Sequence, residues 1–195
     1  MPPLSVLAAG IASSTQPLFD GPLSMASRIR TASYSPSREE TVEAGNVLNN
    51  RETVIRGQAG ETHYITFDFG LPAHGYPRLE IADAPAGVVI DLGYCELARA
   101  LYNGEMHVRP NGWINPERVV GKGYADRYIT RAGEQAVEFP DERTARWLSL
   151  HIHFPAAGEI RLKQVGIVKS QYPINPIGSF SCGDERIAQI VKLCL

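Results

Sequence analysis

The amino-acid sequence predicts a mainly β protein, an antiparallel β-sandwich followed by a single C-terminal α-helix. Between residues 44 and 172, short segments of alternating apolar and polar residues are broken every ten residues or so by Gly, Pro or Asp, a spacing typical of a sandwich. No apolar stripe of helix length interrupts these segments. Near the C-terminus, by contrast, apolar residues recur at helical spacing.

Strands are predicted where side chains alternate between two faces, because successive residues of a strand point to opposite sides. In HYITFDFG, one face carries His63, Ile65, Phe67 and Phe69, and the other carries Tyr64, Thr66 and Asp68. The same alternation occurs in VVIDLGYCE and RWLSLHIHF, whose apolar faces we expect to pack against a second sheet. Further candidates bring the total to at least seven strands: ETVIRG, PRLEIAD, DRYITRAG, AVEF and EIRLKQVGIVKS.

Three turns between these strands contain a glycine that can adopt a positive φ. They are APAG at Ala84–Gly87, RAGE at Arg131–Glu134 and PAAGE at Pro155–Glu159. Each turn separates two predicted strands, so we expect a reversal of chain direction at each.

The two ends of the chain differ from this central region. Residues 1–43 are rich in Pro, Ser, Gly and Ala without a sustained period, and we expect a tail or connector. Residues 44–172 form the predicted sandwich domain. Residues 173–195 are predicted to be a linker and a helix with acidic residues in its first turn. The apolar stripe of this helix consists of Ile187, Ile190, Val191 and Cys194. Because the stripe needs a partner, we expect the helix to be the first element of another domain.

The composition is that of an ordinary globular protein, with 44% hydrophobic residues, 21% charged residues and a net charge of −2. Lys and Arg are dispersed, so neither nucleic acid nor a membrane is an expected partner. The three cysteines, Cys95, Cys182 and Cys194, lack the spacing of a zinc site and favour free thiols in a reducing compartment. We therefore expect no metal and no other cofactor. We expect a cytoplasmic location. Export is the alternative, because the N-terminus is weakly apolar.

Four segments in a fixed order resemble one region of a known enzyme family. They are ITFDFGLPAHGYPRLEI, APAGVVIDLGYCE, YADRYITRAGEQ and IVKSQYPINPIGSFSCGDERIAQI. Together they are similar to the part of bacterial α-L-rhamnosidases of glycoside hydrolase family 78 that joins the N-terminal modules to the catalytic domain. The resemblance implies a jelly-roll or concanavalin-like sandwich, followed by the first helix of an (α/α)6 barrel.

The resemblance also implies where the chemistry takes place. Two carboxylates of the barrel, beyond the end of this chain, would hydrolyse terminal α-L-rhamnosyl residues of glycosides or polysaccharides on an inverting path. No position of this chain inherits a catalytic role, so the chain alone is expected to be inactive and to support the barrel. Its partners would be that barrel and, through the intact enzyme, an L-rhamnosylated glycan. A free-standing carbohydrate-binding module and a small complete enzyme are the alternatives.

The segment GEMHVRPNGWINPERVVGKGYADRY is the most unusual part of the sequence, because it is long and rich in Gly, Pro and Asn. It carries Trp113, Arg109 and His107. A tryptophan ring can stack on a sugar and an arginine can donate hydrogen bonds to hydroxyl groups, so these residues are candidates for a carbohydrate contact. Docking of Trp113 against the barrel is the alternative that we favour.

Structural roles are expected for the remaining polar residues. Five carboxylates fall at strand ends or on polar strand faces, where solvated or turn-capping acids are usual: Asp68, Asp83, Asp91, Glu96 and Asp126. His151 and His153 have the i, i+2 spacing of two metal ligands, but no third ligand is evident in the sequence. We expect these histidines to lie on a half-exposed sheet face.

Overall fold

The structure, a computed structural model, describes residues 1–3, 5–12, 36–39, 44–49, 51–97, 125–173 and 177–194. Over these residues it contains a short 3-10 helix at Ala44–Asn49, the α-helix α1 at Glu185–Cys194, and nine strands. The strands are β1 Ser5–Ala12, β2 Pro36–Glu39, β3 Thr53–Gly57, β4 Thr62–Asp83, β5 Val89–Cys95, β6 Ala125–Ile129, β7 Gln135–Glu138, β8 Arg143–His153 and β9 Gly158–Lys169. The predicted mainly β fold with a C-terminal helix is confirmed.

The strands form one continuous sheet that runs through the 22-residue strand β4, and we describe the strands along each half of β4 as a first and a second layer. In the first layer the order is β2-β1-β4-β8-β5-β6, and β4 contributes mainly its first half. In the second layer the remaining half of β4 lies between β7 and β9, and β9 also pairs with β3. Every pairing among the described strands is antiparallel. The jelly-roll or concanavalin-like topology stays a prediction.

A bulge in β4 marks its change of layer. The register with β8 shifts between Asp68 and Ala73. Within the bulge, Gly70 has a φ of 77°, which favours glycine, and its N–H donates to Asp68 Oδ1 at 2.7 Å. Leu71 and Pro72 are exposed there. Because a bulge bends and twists a strand, the apolar side chains before and after it can both face the interior.

Side chains from both layers meet in one hydrophobic cluster. The first layer contributes Ile65, Phe67, Ile90, Leu92, Leu148, Leu150 and Ile152, and the second contributes Leu79, Ile81, Ile160, Leu162, Val165 and Ile167. The apolar faces predicted for the first part of β4, for β5 and for β8 all belong to this cluster. Period-two alternation therefore identified the core side of each of these strands correctly.

Two strands lie within residues 1–43, for which the sequence predicts a tail or connector. β1 pairs with the first half of β4, beginning with Ser5 opposite Asp68, and β2 pairs with β1. At the extreme N-terminus, Met1 exchanges two backbone hydrogen bonds with Ile167 of β9. The sequence analysis did not predict these two strands, and the assignment of residues 1–43 as a connector stays a prediction. The small residues of SVLAAGIA give little alternation, and β4 supplies the pairing that makes this segment a strand.

Two of the three predicted turn glycines are confirmed. Gly87 and Gly133 have φ values of 90° and 85°. The prediction is wrong for Gly158, which lies inside β9 opposite Gly57 and whose φ is not in the left-handed region. The ladder between β3 and β9 continues through this residue, so the turn ends before it.

Helix α1 confirms the predicted C-terminal helix. Asp184 caps it, because its Oδ1 accepts a hydrogen bond from the N–H of Arg186 at 2.9 Å. Ile187 and Ile190 are exposed, as is much of the segment that precedes them. Among the described residues there is no helix with the length and apolar character needed to cross a membrane. The domain boundaries expected from the sequence stay predictions.

Substitution of Gly57 by Ala is expected to destabilise the fold. A Cβ at this position would lie 2.2 Å from Cδ2 of the buried Phe154 ring, so the ring must move or the strand must shift. The free energy of unfolding, measured by urea denaturation, should fall by about 1–3 kcal/mol. Gly178→Ala is the control, because a Cβ there meets nothing within 4 Å. Equal stability of the two variants would contradict this close packing.

Candidate functional site

The outer face of the first layer is polar and buried. Seven polar side chains on this face are at most 9% exposed: Thr62, Thr66, Asp91, Ser149, His151, His153 and, fully buried, Tyr64. The half-exposed face expected for His151 and His153 is therefore wrong. Alternation correctly separated the apolar side from the polar side, but it carries no information on whether the polar side meets solvent.

Strand register aligns three of these residues in one row with Arg127. Tyr64 on β4 lies opposite His151 on β8, which lies opposite Asp91 on β5, which in turn lies opposite Arg127 on β6. Directly opposed residues in antiparallel strands have Cβ atoms about 5 Å apart. The row therefore holds a phenol, an imidazole, a carboxylate and a guanidinium side by side, although they are far apart in the sequence.

Asp91 and Arg127 form a bidentate ion pair. Arg127 Nε donates to Asp91 Oδ1 at 2.7 Å, and Nη2 donates to Oδ2 at 3.0 Å. The two side chains are 9% and 1% exposed, for Arg127 and Asp91 respectively. The expectation of a solvated or turn-capping acid is wrong for Asp91. A carboxylate and guanidinium so deeply buried need each other, since either one alone would retain an uncompensated charge.

A chain of hydroxyl and imidazole groups lies beside this ion pair. Ser149 Oγ is 3.1 Å from His151 Nε2 and 3.2 Å from Thr66 Oγ1. Thr62 Oγ1 is 2.9 Å from Nδ1 of His153. Burial lowers the pKa of His151 to about 3, so this imidazole is neutral at ordinary pH. Burial, followed by the positive charge of Arg127, also lowers the pKa of His153.

Ser149, His151 and Asp91 together contain the residue types of a nucleophile, a base and an orienting acid. Two observations argue against that chemistry. All three side chains are at most 3% exposed, so no substrate reaches Ser149. The carboxylate of Asp91 is also engaged by Arg127 through both oxygens. A triad needs an accessible nucleophile and a carboxylate that orients the base. We conclude that this network is structural.

Two further arginine–carboxylate pairs involve acids that the sequence singled out. Arg143 binds Asp126 through Nε and Nη2, at 3.0 and 2.8 Å. Arg146 binds Asp68 in the same way, at 3.1 and 3.2 Å. The Arg146 guanidinium carbon also lies 4.4 Å from the centroid of the Trp147 ring, within the range of a cation–π contact.

These pairs affect the ionisation of their neighbours. Partial burial acts to raise the pKa of Asp68. The hydrogen bonds from Arg146 and from the Gly70 N–H together outweigh this effect, so the pKa of Asp68 is lowered. Burial, together with the nearby Asp126, raises the pKa of Tyr94 well above its usual range. Asp83 and Glu96 are exposed, as expected for solvated acids.

The histidines and cysteines of the described residues do not assemble a metal centre. Within that part of the chain, no group of three or more His, Cys, Asp or Glu side chains is placed to hold an ion. A ring nitrogen of His151 and one of His153 each contact a hydroxyl group. Cys95 is buried, and burial raises its pKa to about 11, whereas Cys182 is an exposed free thiol.

Trp113, Arg109 and His107 lie in residues 98–124, outside the described residues. Their role in a sugar contact or in docking stays a prediction. Sequence reasoning missed the buried ion pair of Asp91 and Arg127. One signal was available, because each is a charged residue within a predicted strand. Their pairing, however, depends on a register that the sequence does not reveal.

Comparison with known proteins supports the fold assignment. No family model matches this sequence, and no curated protein does. Among solved structures, the chain is similar to a GH78 family rhamnosidase of Bacillus sp. GL1, with 22% identity and a TM-score of 0.55 over 82% of this chain. A rhamnosidase from Klebsiella oxytoca with rhamnose bound aligns with 85% of this chain at 15% identity, with a TM-score of 0.38. Only the first score supports a shared fold.

The resemblance to family 78 α-L-rhamnosidases is thus confirmed at the level of the fold. This chain spans only a small part of the enzymes it resembles, namely 17% of the Bacillus protein and 29% of the Klebsiella protein. An identity of 22% does not by itself transfer an activity.

Removal of the Asp91 carboxylate is expected to be strongly destabilising. In Asp91→Ala, the guanidinium of Arg127 would remain buried without its partner, and we expect a loss of about 3–5 kcal/mol in the free energy of unfolding. Glu80→Ala is the control, because Glu80 pairs with the half-exposed Arg78 and should cost less than about 1 kcal/mol. Denaturant midpoints of the two variants provide the measurement, and a similar small loss in both would contradict burial of the Asp91 pair.

The buried imidazole of His151 predicts a loss of stability in acid. Its pKa is about 3 in the folded chain, against 6.5 for an unperturbed histidine, so between these values the unfolded chain binds more protons. Stability contributed by the neutral ring is present above pH 6.5 and is lost as the pH falls below it. From pH 6.5 to pH 5 this residue alone should cost about 1.5–2 kcal/mol.

Urea unfolding of the wild type and of His151→Gln at both pH values tests this. The variant should show a shallower dependence on pH, whatever its absolute stability, because the titrating group is gone. The same dependence in both proteins would show that His151 is not held neutral.

Proposed function

We propose that this chain is the non-catalytic β-sandwich portion of an α-L-rhamnosidase of glycoside hydrolase family 78. In this role it supports an adjacent helical catalytic domain that removes terminal α-L-rhamnosyl residues from glycosides or polysaccharides. The observation that carries the proposal is the fold likeness to the Bacillus rhamnosidase, of which the chain covers 17%. The four sequence segments quoted above, which run in the family's order, add to this likeness.

The distribution of exposed apolar side chains is consistent with a domain that packs against a neighbouring catalytic domain. In the two layers the exposed large apolar side chains are scattered, at Leu71, Leu97, Ile129 and Val168, whereas the segment after β9 exposes five: Tyr172, Ile177, Phe180, Ile187 and Ile190. Apolar residues gathered in one exposed stretch are typical of an interaction surface. We propose that these side chains pack against helices of the proposed catalytic domain.

Among the described residues, the buried carboxylates of the two layers are poorly suited to catalysis. The buried carboxylates Asp91 and Asp126 are each engaged by an arginine through two hydrogen bonds. A glycosidase needs one carboxyl group that donates a proton and another that activates water or attacks the sugar. Carboxylates saturated by guanidinium groups are poor candidates for either task. We also propose a cytoplasmic location, which the exposed free thiol of Cys182 supports because free thiols are usual in a reducing compartment.

Two assays on the 195-residue chain test its catalytic and binding capacity. We expect no hydrolysis of an aryl α-L-rhamnoside and no saturable binding of L-rhamnose by calorimetry. Saturable binding without hydrolysis would instead favour a free-standing carbohydrate-binding module. Hydrolysis would overturn both assignments.

Substitution of the exposed isoleucines tests the supporting role directly. In the 195-residue chain, Ile187→Ser combined with Ile190→Ser should change the free energy of unfolding by less than about 0.5 kcal/mol, because both side chains already face solvent. In a longer protein encoded by a reading frame that continues past Leu195, the same pair should cost about 2–5 kcal/mol, since the helix would then be packed. Ile129→Ser, at an exposed position of β6, is the control and should be neutral in both proteins. A pair as neutral as the control in the longer protein would refute docking through α1.

A further inference from the structure

Strands β5 and β6 are hydrogen-bonded neighbours that no short turn connects. Gly93 lies opposite Ala125 and Val89 lies opposite Ile129, yet residues 96–124 separate the two strands in the sequence. In a hairpin with a short loop, the turn itself fixes the register of the strands. A longer connection leaves the register open and costs more entropy to close. The register of β6 therefore depends on contacts made by the strands themselves.

Two consecutive residues of β6 carry opposite charges and point to opposite faces of the sheet. Asp126 lies opposite Leu92, a member of the hydrophobic cluster, and so faces the core. Arg127 lies opposite Asp91 and faces the polar outer side. Both side chains are largely buried. Each charge on β6 therefore needs a partner on its own face.

Each of the two residues has that partner in a bidentate ion pair. On the outer face, Arg127 binds both carboxylate oxygens of Asp91, which ties β6 to its neighbour β5. On the core side, Arg143 Nε and Nη2 donate to Asp126 at 3.0 and 2.8 Å. Arg143 begins β8, and β5 lies between β8 and β6, so this second pair spans two strands.

The guanidinium of Arg143 also packs on the core. Its central carbon lies 5.7 Å from the centroid of the Tyr94 ring on β5, within the range of a cation–π contact. Tyr94 is a buried member of the hydrophobic cluster. The inner ion pair is therefore built onto the side chain of the intervening strand, and β5, β6 and β8 are held together at this point.

The order of the two charges excludes the neighbouring registers. If β6 slipped by one residue, Arg127 would turn toward the core side, where Arg143 lies, and Asp126 would turn toward the outer side, where Asp91 lies. Like charges would then be buried together on both faces of the strand. Buried ion pairs add little net stability, but a buried charge without its partner is costly, so this pattern favours one register strongly.

We propose that Asp126 and Arg127 form a two-sided ionic clamp, which sets the register of β6 in place of a turn. The clamp fixes the point, at Ala125, where the connection from β5 returns to the sheet. That connection includes the candidate contact residues Trp113, Arg109 and His107, so the clamp gives them a defined point of attachment. The clamp consists of residues of this chain alone, and its test does not depend on the rhamnosidase assignment.

Exchange of the two charges tests the clamp without a change in composition or net charge. In the variant with Asp126→Arg and Arg127→Asp, like charges meet on both faces, so amide exchange in β6 should approach the rate of an unstructured chain. The control is the variant with Arg51→Glu and Glu52→Arg, because both positions are exposed. It should leave β6 as protected as in the wild type. Retained protection of β6 in the first variant would overturn the clamp.

Asp126→Asn is the milder variant, and it tests the clamp even where the charge exchange prevents folding. Loss of the carboxylate should speed amide exchange in β6 by roughly 10- to 100-fold, because bonds to a charged group are lost. Exchange in β3, which pairs with β9, should stay as in the wild type.

Asp68→Asn is the matched control for this variant. Asp68 also accepts two hydrogen bonds from one arginine, Arg146, but this pair ties β4 to β8. Exchange in β6 should therefore be unchanged in Asp68→Asn. Equal acceleration of β6 in the two variants, or none in Asp126→Asn, would show that the Asp126 pair does not hold β6 and would overturn the clamp.

Discussion

The fold depends on one constraint, that β4 serves both layers of the sandwich without interruption. A strand of 22 residues can do this only if it bends sharply, because its apolar residues must face the interior on both sides of the bend. The bulge after Asp68 and the left-handed conformation of Gly70 provide the bend. The other strands then take their places from β4, since β1, β7, β8 and β9 all pair with it directly.

The buried polar face constrains the register of the strands in the first layer. An apolar core tolerates many arrangements of similar shape, whereas hydrogen-bonded groups out of water need particular partners. Asp91 meets Arg127, and Thr66 meets Ser149, only when β5 pairs with β6 and β4 pairs with β8 in the observed register. A slip by one residue would turn these groups toward the hydrophobic core, where they would have no partners. We infer that the network contributes to register specificity more than to net stability.

Two regions of the chain bear on function, the layered body and the segment after Ser170, and they differ in how far their apolar side chains are buried. The described layers enclose a hydrophobic core, and they pair the buried Asp91 with Arg127 and the buried Ser149 with Thr66. The segment after Ser170 does the opposite, because its large apolar side chains are exposed and its helix buries little surface against the described strands. This contrast fits the proposed supporting role, in which a neighbouring domain would complete the packing of the exposed segment.

Local pattern in the sequence determined the β class, the inward face of most strands, the glycines at two turns and helix α1 with its exposed stripe. These features follow from the backbone geometry of neighbouring residues, and so a period of two or of 3.6 suffices to predict them. The tertiary structure alone decided that β1 is a strand and that the polar face of β8 is buried. It also decided that Asp91 meets Arg127 and that Thr66 meets Ser149. Each of these features joins residues that are distant in the chain, and the free energy that selects them comes from register and burial, which local pattern does not encode.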